Sequence, residues 1–276
     1  MSRALQAIGV LLPVVYALAA VLHGMAFAGP RAPQVRGLRT WMLRAALALH
    51  CAWFVVRGRM LGHFPVSDLW STVSATAWCT ALLYAGIARW LAHAGSGGIV
   101  LGLVFVFQLL ASALTNYAPV PREQGLGLPQ ILHIATSSLS AAALVLSGLH
   151  GILYLVLLRE MRERRFGALF GHLPDLDVLA RMTRRAALAG FLGLSVGLNV
   201  GIWLAHRDQI QGFAYRQPEV VLSLALWIHF GVIAFSGSIR GFSARRASYA
   251  AAGGLVALLL SLLLVLLPGT SFHSQV

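Results

Sequence analysis

Uncharged, strongly apolar runs of about twenty residues recur along the chain, separated by short connections in which arginine collects. They predict helices near 4–27, 40–57, 69–92 and 98–116, followed by four more near 131–158, 186–206, 219–239 and 247–267. At about 1.5 Å per residue, each run covers a hydrocarbon core roughly 30 Å thick. The expected fold is therefore an all-α, polytopic transmembrane helical bundle of about eight spans. No polar stretch is long enough to fold separately, so residues 1–276 are expected to form a single membrane domain.

Orientation follows from the arginines. Arg31, Arg36 and Arg39 lie in the first connection, Arg159, Arg162, Arg164, Arg165, Arg181, Arg184 and Arg185 in the fifth, and Arg240, Arg245 and Arg246 in the seventh. With eight spans these connections share one side, together with the Gly95-Ser96-Gly97-Gly98 hairpin, and the positive-inside rule makes that side cytoplasmic. Both termini are then expected to be periplasmic, in a multi-pass protein of a bacterial inner membrane. Ala26-Phe27-Ala28 imitates a signal-peptidase site, but the long apolar run before it and the arginines after it favour a retained helix.

Within the connections, Ser67 or Asp68 is placed to cap the third helix, following Pro65 and preceding an apolar run. The polar stretch Arg159 to Arg185 reads as a helix extension and then a short surface helix started by Pro174 and Asp175.

Composition narrows the class. Hydrophobic residues make up 58% of the chain and charged residues 11%, about half the charged share of a soluble domain. The net charge of +13 comes from arginines in connections between spans, so membrane topology explains it and nucleic-acid binding is not expected. Cys51 and Cys79 fall inside apolar runs without ligand spacing and read as small buried hydrophobes. No Ser/His/Asp array, phosphate loop or Glu-x-x-His motif is present, which argues against a conventional hydrolase or NTPase.

Ten histidines in so apolar a chain call for an account. On the predicted topology His63, His133, His206 and His273 come out at the periplasmic side, His50 and His229 near mid-membrane, and His23 and His150 nearer the cytoplasmic boundary. Singly, each reads as an interfacial imidazole or as one hydrogen-bonded to a neighbouring helix. As a set they suggest a metal, since a neutral imidazole offers a nitrogen lone pair. Asp68, Glu123, Asp208 and Glu219 are too scattered for a carboxylate cage. A porphyrin supplies four nitrogens of its own and needs only two axial histidines, which makes haem the expected ligand. Arg122, Arg207 and Arg216 are periplasmic cations suited either to haem propionates or to interfacial snorkelling.

Three local motifs carry a resemblance. Gly62-His63-Phe64-Pro65-Val66-Ser67-Asp68-Leu69-Trp70 is similar to the GHFPxSNLYE signature of the cytochrome c assembly family of CcsA/HemX type. Leu132-His133-Ile134 with its serine-rich continuation resembles that family's MHVxxxxLSY helix, and Phe272-His273-Ser274 resembles its closing LHSY. The resemblance implies that His133 and His273 are periplasmic axial haem ligands. His63 at the haem edge, and His206 as a substitute ligand or propionate contact, are further candidates beside their structural roles.

The chain also departs from the family pattern. The tryptophan-rich WWD segment is reduced to little more than Trp203, Pro218 and Trp227, and Phe235 stands where the family has a membrane histidine. In this it resembles the shorter YpjD/HemX branch. The implied function is haem handling or delivery in cytochrome c assembly, not evidently enzymatic, with apocytochrome or other assembly proteins as partners. Two other readings stay open: a small-molecule or ion transporter using His50 and His229, and a non-catalytic membrane scaffold.

Overall fold

A computed structural model describes residues 2–25, 33–66, 68–91, 95–115, 127–164, 167, 170–207 and 215–265. Among them are eight α-helices and no strand: α1 Ser2–Gly24, α2 Pro33–Leu61, α3 Leu69–Leu91, α4 Gly97–Leu114, α5 Leu128–Glu163, α6 Leu176–Arg207, α7 Pro218–Ala234 and α8 Ala244–Val265. In lipid the backbone must satisfy its own hydrogen bonds, which is why runs this apolar form helices. Ala4–Gly24, α4, α5 and α6 are each long and apolar enough to cross a membrane, and α7 holds a shorter apolar stretch, Val220–Ala234. The chain is a polytopic helical membrane protein.

Two compact units divide the helices. The first comprises the chain up to Ile131 together with Phe166–Pro174, and the second comprises Leu132–Arg165 and the chain from Asp175 onward. In the first unit α1 packs on α2 and α4, and α3 packs on α2 and α4, around Leu12, Tyr16, Trp53, Tyr84 and Leu101. Val10, Val14, Leu18 and Val21 of α1 point outward, as expected of side chains that meet lipid. In the second unit α6, α7 and α8 pack together, and Leu144 of α5 joins Ala187, Leu226, Phe230, Ile233 and Ala251 in one apolar core.

The boundaries have local causes. Asp68 caps α3: its Oδ1 accepts from the Ser71 backbone N–H at 2.8 Å, while its own N–H donates to Ser71 Oγ at 3.1 Å. The other cap candidate, Ser67, lies outside the described residues. Before it, α2 ends at Leu61 and is followed by Gly62, whose φ of 77° is the left-handed conformation that glycine adopts freely and whose N–H closes on Gly58 O at 2.9 Å. Arg57, 6% exposed, then pins the turn by donating to Asp68 Oδ2 at 2.9 Å while lying over the Trp53 ring.

Two expectations need correction. The polar stretch after α5 does extend that helix to Glu163, but among the described residues no separate surface helix follows. From Leu176, one residue past the expected start, the chain runs unbroken into the sixth span, because neither proline nor glycine interrupts it before Gly190. Cys79 is buried as expected, but Cys51 is exposed on the outer surface of α2, where a small thiol suits lipid as well as a core would.

Candidate functional site

His133 sits one turn into α5, half-buried, with α6 beside it. Its Nδ1–H donates to the Gly197 carbonyl at 2.8 Å. A carbonyl can only accept, so Nδ1 carries a proton, and in the neutral form of such a ring the lone pair is on Nε2. Metal-ligating histidines are typically oriented in this way by a backbone carbonyl on the other nitrogen.

Close approach of α5 and α6 makes that bond possible. Gly190, Gly193, Gly197 and Gly201 recur at spacings of three and four and so share one face of α6. Each lacks a Cβ where α5 comes nearest: at Gly190 one would meet Leu144, at Gly193 the Ser140 hydroxyl, and at Gly197 the Ser137 hydroxyl at 3.0 Å. At Gly201 it would lie 2.7 Å from Cε1 and 2.9 Å from Nδ1 of His133 itself. Small residues at such spacing are the usual means by which membrane helices approach closely. This glycine stripe was readable as a spacing pattern in the sequence, but only the fold reveals that His133 is what it receives.

The other candidates occupy different surroundings. His63 belongs to the first unit, where its Nδ1–H donates to Phe64 O at 2.8 Å within the turn before α3. His206 and Trp203 lie near the end of α6 in the second unit. His206 Nε2 is 2.7 Å from the Tyr215 hydroxyl, and the Arg207 guanidinium lies over the Trp203 ring, with Trp203 and Tyr215 50% and 54% exposed. At about 100° per residue, Trp203 is roughly 160° and His206 roughly 140° around α6 from Gly201. Neither therefore shares the face that holds His133. His273 and Arg122 lie outside the described residues. Trp227 has a packing role: it stacks on Phe191 at 5.0 Å, and its Nε1–H donates to Ser195 Oγ at 2.7 Å, tying α7 to α6.

The histidines expected near mid-membrane divide. His50 is fully buried in the first unit with both ring nitrogens engaged. The Tyr16 hydroxyl donates to Nδ1 at 3.0 Å, and Nε2–H donates to Ser74 Oγ at 3.0 Å. Ser74 in turn donates to Gln108 Oε1 at 2.9 Å, and Gln108 Nε2–H donates to Ser112 Oγ at 3.0 Å. Those directions fix the ring's tautomer. His229 belongs to the second unit and donates from Nε2 to Ala250 O at 2.9 Å. His150 is fully buried, donates from Nδ1 to Leu146 O at 2.7 Å, and leaves Nε2 without a partner.

The profile of the family described as Cytochrome C assembly protein matches residues 40–273, most of the chain. The chain belongs to that family. It is 25% identical over 291 residues to the cytochrome c biogenesis protein CcsA of Synechococcus sp. (strain CC9311), covering 94% of each chain. Against the protein of that name from Chlamydomonas reinhardtii it is 23% identical, over 80% of this chain and 63% of the relative. For Mesostigma viride the figures are 23% identity, 83% of this chain and 81% of the relative.

Proposed function

We propose that this protein binds haem through His133 during cytochrome c assembly. Family membership supports a role in cytochrome c biogenesis. The single observation that carries the haem reading is the hydrogen bond from His133 Nδ1–H to Gly197 O, because it leaves Nε2 available to coordinate a metal. His133 and His273 would supply the two axial nitrogens at the periplasmic face of a bacterial inner membrane. Haem, when held there, supplies an iron centre whose potential its axial ligands tune. His63, Trp203 and His206 are second-tier candidates for contacts to the haem edge or propionates. Apocytochrome and other assembly proteins are the expected partners.

The test is the absorption spectrum of detergent-purified protein. The wild type should carry a Soret band that shifts on reduction, and His133→Ala should lose it. A His133→Ala protein with an unchanged haem spectrum would overturn the proposal.

A further inference from the structure

The α5–α6 contact does more than bring two helices together. At Gly197 the backbone carbonyl accepts a hydrogen bond from His133 Nδ1–H, and one turn later the bare Cα of Gly201 leaves room for the imidazole. An added Cβ at Gly201 would stand 2.7 Å from Cε1 and 2.9 Å from Nδ1, well inside ordinary contact, with a ring rather than a flexible chain end as the neighbour. At Gly197 the same addition meets the Ser137 and Thr136 hydroxyls at 3.0 and 3.3 Å, and no atom of the imidazole is among its three nearest neighbours.

We propose that Gly201 and the Gly197 carbonyl are positioning residues for the iron-binding nitrogen of His133: one clears the space that the ring occupies, and the other sets which nitrogen is free. The inference rests on the haem reading given above. Donation of Nδ1–H to a carbonyl makes the imidazole a more electron-rich ligand, which favours ferric iron and lowers the reduction potential. A ring pushed off Gly201 loses the 2.8 Å bond and with it that electronic bias.

The experiment compares the haem-to-protein ratio, Soret position and midpoint potential of wild type, His133→Ala, Gly201→Ala and Gly253→Ala, all full-length in detergent. Gly201→Ala should lower haem content by about ten- to hundredfold, or move the potential of the remaining haem to more positive values. Gly253→Ala, in α8 where an added methyl group meets nothing within 4 Å, should stay close to wild type on all three readouts. If His133→Ala keeps the wild-type spectrum, the haem reading fails, and this inference with it. Should His133→Ala lose haem while Gly201→Ala matches wild type in ratio, Soret band and potential, the positioning role alone is wrong. Where Gly201→Ala does not accumulate, the His133→Gly/Gly201→Ala double variant decides. Recovery of its yield shows that the clash runs through the imidazole, and continued failure overturns the inference.

Discussion

His50 and His133 are both imidazoles enclosed by helices, and they differ in what remains after their hydrogen bonds are formed. His50 has spent both nitrogens, accepting from Tyr16 and donating to Ser74, in surroundings that also include a stacked Phe54 ring at 4.8 Å. His133 has spent one, on a backbone carbonyl. The first ring is thereby a structural element of the first unit, and the second holds a lone pair in reserve.

That contrast can be broken at its largest predicted effect. His133→Ala should abolish the chromophore while lowering stability by only about 1 kcal/mol, the worth of one hydrogen bond, as read from thermal unfolding in detergent. His50→Ala should do the reverse. It leaves Tyr16 and Ser74 short of partners and opens a cavity, so a loss of about 3 kcal/mol is expected, with the Soret position of the folded fraction unchanged. A smaller effect sharpens the picture at the turn beside His63. Arg57→Met should cost about 1–2 kcal/mol, because Arg57 is buried while its partner Asp68 is 40% exposed and partly screened by solvent. Smallest of all is Gly253→Ala in α8, where an added methyl group meets nothing within 4 Å; a gain of up to about 1 kcal/mol is expected from helix propensity.

Much of this arrangement is legible in the sequence because hydropathy and caps are local properties. The eight helices, the Asp68 cap and the extension of α5 to Glu163 follow from residues within a turn or two of each boundary. Helix partners are not local. His50 meets Tyr16, 34 residues earlier, and its neighbour Ser74 meets Gln108, 34 residues later, and no periodicity within α2 announces either contact. Cys51 illustrates the same limit, since an apolar run does not say which of its faces turns outward. Likewise, the alternation of Gly190, Gly193, Gly197 and Gly201 marks a close contact without naming the helix that makes it, and the pairing with His133 becomes visible only once α5 and α6 are side by side. His133 itself was found through its motif, and its protonated nitrogen through its neighbour.

The relay from Tyr16 through His50, Ser74 and Gln108 to Ser112 runs in one direction across α1, α2, α3 and α4. Each donor has a single acceptor waiting on the next helix or the next turn, so the set behaves as a key cut for one sequence of neighbours. A bundle that inserted these helices in another arrangement would strand hydroxyl, amide and imidazole groups in hydrocarbon, where no water can compensate them. The first unit thereby checks its own assembly in chemistry kept apart from the lone pair on His133.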